Sequence, residues 1–146
     1  MIELADAELG YAAGIVDGEG SIQIDRRTGG HFGITVTVSM KNPAVIHWLE
    51  DNFGGRTNSF KQSRNSFKPE GIMNRWAVHG TKAQEFISLI KPFMIEKAER
   101  ANVALSFPVA LNGSHRYRAE LDTQEAGYNI MKKLQDKPNR GNKRRK

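Results

Sequence analysis

The chain has 146 residues, 38% of them hydrophobic, so it can bury one core of ordinary size and we expect one globular domain. Its formal net charge of +6 at pH 7 favours a polyanionic partner, because bound cationic side chains release the counterions condensed on nucleic acid. The absence of cysteine excludes disulfides, thiolate metal sites and cysteine nucleophiles. No apolar run approaches the ~20 residues of a membrane span, and residues 1–10 are acidic rather than signal-like, which predicts a soluble intracellular protein.

The first third of the chain predicts a helix followed by a β-hairpin. Asp6 can cap a helix that ends near Gly18 and Gly20, two glycines that let the backbone turn sharply. Alternating apolar and polar residues then predict strands over 21–25 and 32–38, which a glycine-containing turn connects.

The middle of the chain predicts the same order of elements again. Asn42 caps a helix that has Pro43 as its first residue and closes at Gly54. Two further strands are predicted over 56–62 and 72–78, the second with alternating apolar and polar positions.

The last third predicts helices. Thr81 caps one helix, Pro92 starts another that ends before Pro108, and an amphipathic helix spans residues 123–135. Residues 137–146 are predicted to form a disordered basic tail. This order indicates an α+β domain whose four-stranded antiparallel sheet is covered by helices on one face only.

The uncovered face of this sheet carries a mixture of hydrogen-bond donors and acceptors with few apolar groups. Such a surface suits base edges in the major groove of DNA, with Lys and Arg at its rims on phosphates. An ordinary solvated sheet face is the alternative interpretation. The predicted DNA-binding residues are Gln23, Asp25, Arg27, Thr35, Thr37, Lys41, Arg56, Asn58 and Arg75.

The end of the first helix resembles the LAGLIDADG signature of homing endonucleases. Residues 12–21 read Ala-Ala-Gly-Ile-Val-Asp-Gly-Glu-Gly-Ser, and the signature letters that are identical are Ala13, Gly14, Asp17 and Gly20. The stretch closes a capped helix and directly precedes an alternating strand, where that family places it. Segments 36–41 and 91–102 are also similar to the family, so the resemblance covers about residues 8–107.

The resemblance implies an α+β, αββαββα LAGLIDADG endonuclease fold with a four-stranded antiparallel saddle sheet and extra C-terminal helices. One domain would occupy residues 1–136, with its core at about 6–107 and a helical part at 108–136. Small residues on the first helix would let it pack closely against the same helix of a second subunit, so we expect a homodimer. The predicted interface residues are Ala12, Ala13, Gly14 and Val16.

The resemblance also implies a metal-dependent active site at the end of the first helix. Glu19 and Gly18 would bind Mg²⁺, Glu19 and Lys97 would be catalytic, and Asp17 would be a structural carboxylate. Mn²⁺ would substitute for Mg²⁺, and Ca²⁺ would bind without supporting cleavage. The implied activity is double-strand cleavage of a long pseudo-palindromic DNA target by an intron-encoded enzyme, with neither a membrane nor a small-molecule substrate involved.

The accessory pocket departs from the family pattern. Single-motif relatives often carry Gln and Arg where this chain has Met40 and Ala44, and Lys41 or His47 would replace them only in part. The alternative function is therefore a cleavage-deficient DNA- or RNA-binding protein, either a repressor or an intron-splicing maturase. The histidines lack metal-ligand spacing and are interpreted as surface or strand-end residues.

Overall fold

The computed structural model describes residues 4–28, 30–61, 71–109 and 118–135. The elements in chain order are α1 (Asp6–Glu19), β1 (Gly20–Arg26), β2 (Phe32–Met40), α2 (Pro43–Phe53), β3 (Arg56–Lys61), β4 (Ile72–His79), α3 (Gly80–Ile90), a 3-10 turn (Lys91–Phe93), α4 (Ala98–Ser106) and α5 (Arg118–Gln135). The predicted α+β class and the αββαββα order are confirmed. The predicted basic tail at 137–146 lies outside the described residues.

The four strands form one antiparallel sheet in the order β1-β2-β4-β3. The side chains that point from the sheet towards the helices are apolar and buried: Ile22, Ile24, Ile34, Val36, Val38, Trp76 and Val78. Burying one such side chain contributes about 1.5–3 kcal/mol, so this layer is the main force that holds the helices on the sheet. The opposite face, at the alternate positions of the same strands, is the polar face that the sequence predicts.

The helix starts differ in detail from the sequence prediction. Asn42 caps α2 as predicted, with its Oδ1 accepting the N–H of Ala44 at 2.9 Å. Asp6, predicted as a cap, is instead the first residue of α1. Thr81, predicted to cap α3, lies inside that helix because α3 begins one residue earlier, at Gly80.

The helix predicted to start at Pro92 is interrupted. A 3-10 turn over Lys91–Phe93 is followed by four non-helical residues, and α4 begins only at Ala98. The physical reason lies in another part of the chain, because the backbone amides of residues 95–97 donate to the side chain of Asp17 in α1.

The last helix, α5, is tied to the first hairpin by two glutamines. The buried side chain of Gln124 accepts the N–H of Phe32 at 3.2 Å and donates to the carbonyl of Pro108 at 2.8 Å. Gln135 Nε2 donates to the carbonyl of Ile22 at 2.9 Å. These contacts place α5 beside β1, which is an edge strand of the sheet. Among the described helices, none combines the length and apolar character required to cross a bilayer.

Candidate active site and nucleic-acid interface

The carboxylate of Glu19 lies at the exposed C-terminal end of α1, directly before β1. The sequence predicts a sharp turn at Gly18 and Gly20. The structure shows no such turn, and instead the backbone of Gly20 approaches that of Val16 closely. Gly20 has φ −93°, an ordinary extended value, but a Cβ at this position would lie 2.7 Å from Val16 Cα. Gly18 is helical, and a Cβ there would meet nothing within 4 Å. Of these two positions, Gly20 alone has surroundings that leave no room for a side chain.

Asp17, two residues before Glu19, binds the segment that precedes α4. Its Oδ2 accepts the N–H groups of Ile95 at 2.8 Å and Glu96 at 3.2 Å, and its Oδ1 accepts the N–H of Lys97 at 3.1 Å. Three backbone donors on one carboxylate anchor this non-helical segment against α1. The contacts agree with the structural role that the sequence predicts for Asp17.

Lys97 is buried beneath the same end of α1, with 8% of its surface exposed. Its Nζ donates to the carbonyl of Val16 at 2.7 Å and to the carbonyl of Asp17 at 2.5 Å. A cation at this position also favours the negative end of the helix dipole. This geometry holds the ammonium of Lys97 against the backbone at the end of α1, and its catalytic role stays a prediction.

The end of α1 offers hard oxygen atoms, which are the ligands that Mg²⁺ prefers. Within the described residues the Glu19 carboxylate has no hydrogen bond or ion pair, and it is exposed. Gly18 can contribute only its backbone carbonyl, one of the four at a helix end that lack an intrahelical donor. In the described ranges no group of three or more His, Cys, Asp or Glu side chains could hold a metal.

The polar face of the sheet forms a concave surface with a volume of about 600 Å³. Its lining residues are Asp25, Arg26, Arg27, Thr35, Thr37, Arg56, Thr57, Asn58, Arg75, Ala77 and His79. The surface includes all of the predicted DNA-binding residues except Gln23 and Lys41. Gln23 lies on β1 opposite Thr35, beside the concavity, and Lys41 is exposed just beyond the end of β2.

Two hydroxyl groups of β2 hold two side chains of β4 across this face. Thr35 is paired in register with His79, and the Thr35 Oγ1 to His79 Nδ1 distance is 3.1 Å. Ser39 is paired with Arg75, whose Nε donates to Ser39 Oγ at 3.2 Å. The guanidinium of Arg75 also stacks over the ring of Phe60, 4.6 Å from its centroid. The two β4 side chains are therefore oriented before any ligand binds.

Arg27 completes the contacts around Thr35. Its Nη2 donates to Thr35 Oγ1 at 3.0 Å, and its side chain crosses Gly33, where a Cβ would lie 2.7 Å from Arg27 Nε. Partial burial of the ring and the positive charge of Arg27 lower the pKa of His79, and Arg56 acts in the same direction. The nearby carboxylate of Asp25 opposes this shift.

His79 is the residue that the sequence prediction missed. Ending the fourth strand at Val78 left His79 outside the sheet, whereas the structure extends β4 through His79. The signal was present, because the alternation that places Arg75 and Ala77 on the polar face places the next alternate residue there too.

The predicted interface on α1 is corrected by the burial of its side chains. Ala12, Ala13 and Val16 have 0% exposure within the single chain, so they pack inside it and are not on a surface that a second subunit could reach. Only Gly14 of the predicted set is exposed, and open space surrounds the position of its absent Cβ. The exposed face of α1 also includes Tyr11, which makes an edge-on contact with Trp48 at 5.0 Å between ring centroids.

Met40 and Ala44, which the sequence analysis assigns to an incomplete accessory pocket, carry apolar side chains. Met40 packs partly buried against the core, and Ala44 is exposed in the first turn of α2. Lys41 is exposed nearby, while His47 Nδ1 lies 3.8 Å from the carboxylate of Glu50. The predicted replacements are thus present on the surface at this end of the sheet and the start of α2.

The arrangement of helices and sheet is the LAGLIDADG homing endonuclease fold. The homing endonuclease I-CvuI in complex with its target superimposes with a TM-score of 0.70 at 20% identity, covering 92% of this chain and 85% of that chain. The archaeal intron-encoded homing endonuclease I-Vdi141I, complexed with DNA, gives a TM-score of 0.65 at 21% identity and covers 90% of this chain and 86% of that one.

The group I intron-encoded homing endonuclease I-CeuI, also complexed with DNA, gives a TM-score of 0.66 at 16% identity, covering 95% of this chain and 72% of that chain. No family model and no curated protein matches the sequence. The likeness to known proteins is therefore one of fold.

Proposed function

We propose that this chain is a single-motif LAGLIDADG homing endonuclease that cleaves both strands of a long pseudo-palindromic DNA target. The observation that carries the proposal is the exposed carboxylate of Glu19, held at the end of α1 beside an open polar sheet. The solved structures that share the fold include endonucleases bound to DNA. The enzyme would act in the compartment that holds its DNA target.

DNA binding is proposed for the polar face of the sheet. β4 has eight residues and is therefore about 26 Å long, whereas the major groove is only about 12 Å wide. A strand laid across the groove would therefore extend beyond it, and we propose that the strands run along the groove instead. Arg56 and Arg75 are exposed on this face and can hold bases or phosphates, and the net charge of +6 adds favourable counterion release.

Dimerisation is proposed through the exposed face of α1. Gly14 and Gly18 are four residues apart, lie on the same side of the helix and leave room for the backbone of a second α1. A two-fold axis beside these glycines would bring the two Glu19 carboxylates together, one for each DNA strand. The target would then be pseudo-palindromic, because the dimer presents the same sheet twice.

The oxygen atoms at the end of α1 suit Mg²⁺, with phosphate oxygens, water and the second subunit completing the site. When bound, a divalent ion stabilises charge on the phosphate and lowers the pKa of a bound water molecule. Glu19 would bind the ion directly through its carboxylate, and Gly18 through its carbonyl. Mn²⁺ is expected to replace Mg²⁺, whereas Ca²⁺ is expected to permit binding without cleavage.

Lys97 is proposed to support cleavage as a positioning residue. Its ammonium fixes the carbonyls of Val16 and Asp17, which immediately precede Gly18 and Glu19 in the chain. A displacement of about 1 Å in a catalytic group can cost about a hundredfold in rate, so the support of this helix end matters for cleavage.

The experiment compares the parent protein with Glu19→Gln and Glu96→Gln on duplexes enriched from a randomised library. Glu96 is a matched control, because its exposed carboxylate belongs to the segment that contacts Asp17 through backbone amides. We expect all three proteins to bind in Ca²⁺, and only the parent and Glu96→Gln to cut in Mg²⁺.

A second candidate function, a cleavage-deficient nucleic-acid-binding protein, is favoured by apolar Met40 and Ala44 at the accessory-pocket positions. The same experiment separates the two. Binding by every protein with cleavage by none would overturn the nuclease proposal and support the alternative, whose repressor and maturase forms differ in binding duplex DNA or intron RNA. A monomer on the DNA in sedimentation would contradict the dimer.

A further inference from the structure

Arg75 and His79, the two β4 side chains that hydroxyl groups of β2 hold, share one chemical property. Both can present hydrogen-bond donors to the major groove of bound DNA. Arg75 has donors and no acceptor, and Ser39 and Phe60 fix its Nε and its plane, which leaves the donors of the two terminal nitrogens for another partner. A guanidinium held in one plane is suited to bidentate recognition of two adjacent acceptors.

The hydrogen bonds around Thr35 bear on which nitrogen of His79 carries a proton. Arg27 can only donate, so Thr35 Oγ1 accepts from Arg27 Nη2 and keeps its own hydroxyl proton available for His79 Nδ1. We assign Nδ1 as the acceptor of this proton in the neutral ring, with the ring proton on Nε2. His79 therefore presents an N–H donor away from Thr35, towards the concave surface that it lines.

The register gives the spacing and the order of these donors. Arg75 and His79 are four residues apart on one face of β4, which corresponds to about 13 Å along the strand. With β4 running along the groove, as proposed above, this distance matches about four base-pair steps of about 3.4 Å. Gly20 pairs with Val38, next to Ser39, so Arg75 lies at the Glu19 end of the sheet and His79 lies further from it.

We propose that β4 selects two guanines, about four base pairs apart in each half-site, through Arg75 at the position nearer the cleavage site and His79 at the outer one. Guanine is the base that shows two acceptors, N7 and O6, in the major groove, whereas adenine and cytosine each show an amino donor. Around His79 the donors of Arg27 and Arg56 outnumber the single carboxylate of Asp25, and this balance disfavours those amino groups. This inference rests on the proposed function and names the sequence preference of its DNA substrate.

Thr35 is a positioning residue in this arrangement. Its side chain is nearly buried, so it contributes to recognition through the orientation of His79 and not through a base contact of its own. Thr35→Val keeps the shape of the side chain and removes the hydroxyl, while Thr35→Ser keeps the hydroxyl.

The test is repeated enrichment of bound duplexes from a library with a randomised centre, in Ca²⁺, followed by sequencing. We expect the parent to enrich two guanines at this spacing in each half-site. Arg75→Ala should lose about 5- to 150-fold of the base preference at the inner position only. His79→Ala should lose roughly two- to tenfold at the outer position only, since it removes one hydrogen bond. Thr35→Val should reproduce the His79→Ala result, and Thr35→Ser should restore the preference.

Matched controls are Asp51→Ala and Lys82→Ala, which remove exposed side chains of α2 and α3 on the helical side of the sheet. Both should enrich the parental sequence. If Arg75→Ala and His79→Ala enrich the same sequence as the parent, with the same base preferences, this inference is overturned and the proposed function still stands. A library from which the parent enriches no sequence overturns both. Thermal melting of each variant identifies a loss of preference that comes from unfolding.

Discussion

The side chains of Asp17 and Lys97 each bind a backbone group of the other residue. The carboxylate of Asp17 accepts the amide N–H of Lys97 at 3.1 Å, and the ammonium of Lys97 donates to the carbonyl of Asp17 at 2.5 Å. Each charged group thus satisfies a polar backbone group of the other residue, 80 positions apart in the chain. The contacts end two residues before Glu19, so the segment before α4 determines where the candidate metal-binding carboxylate lies.

Removing either charged group of this pair should destabilise the protein. Lys97→Met leaves two carbonyls at the end of α1 without their lysine donor, and Asp17→Asn leaves fewer acceptors for three amides. We expect each change to lower the free energy of unfolding by about 1–3 kcal/mol, which urea denaturation measures. Lys91→Met, at an exposed lysine of the 3-10 turn, is the control and should have little effect.

The double variant of Asp17 and Lys97 tests whether the two contacts act together. Since both hold the same two segments, the double variant should lose less stability than the sum of the single variants, with a difference of about 0.5 kcal/mol or more. Strict additivity would mean that the two groups stabilise the protein independently.

Gly18 and Gly20 should respond to alanine in opposite ways. A Cβ at Gly20 would lie 2.7 Å from the backbone of Val16, so Gly20→Ala should destabilise the protein by about 1–3 kcal/mol. A Cβ at Gly18 meets nothing within 4 Å, and alanine is favoured over glycine in a helix by up to about 1 kcal/mol. Gly18→Ala should therefore be neutral or stabilising for the single subunit, which urea denaturation measures at concentrations too low for dimerisation. Equal losses at both positions would contradict this assignment.

Gly14 and Ala13 are adjacent in sequence but should affect different properties. Gly14→Arg places a large side chain on the exposed face of α1, so it should abolish the proposed dimer while leaving the thermal unfolding of the subunit cooperative. Ala13→Leu adds volume at a position with 0% exposure and should lower the free energy of unfolding by about 1–3 kcal/mol. Sedimentation measures the first effect and urea denaturation the second. A Gly14→Arg protein that remains dimeric would exclude this face of α1 as the interface.

The sequence was sufficient to predict the features that depend on local patterns. Alternation in β1, β2 and β4 identified both faces of the sheet, and Asn42 with Pro43 identified the start of α2. These features are predictable because side-chain periodicity and capping act over a few residues. The position of Glu19 at the end of a helix was predictable for the same reason.

The features that escaped prediction depend on residues distant in the chain. Asp17 interrupts the helix expected at Pro92 by binding the amides of residues 95–97, which are 78 to 80 positions away, and no pattern near Pro92 indicates this contact. Ala12 and Ala13 are as small as an interface residue should be, but size alone does not reveal which side of α1 faces the sheet. The role of His79 required the cross-strand register with Thr35.

The titration of His79 provides the last prediction. Partial burial and Arg27 lower its pKa below the ordinary value of about 6.5, while Asp25 acts against them. Arg27→Ala should therefore raise the pKa of His79, and Asp25→Asn should lower it further; NMR titration of the imidazole protons measures both. Because the unfolded chain takes up this proton more readily than the folded one, the contribution of His79 to stability is present above pH 6.5 and is lost as the pH falls through the folded-state pKa. His79→Asn should remove this part of the acid sensitivity, and shifts of the same sign in Arg27→Ala and Asp25→Asn would contradict the electrostatic assignment.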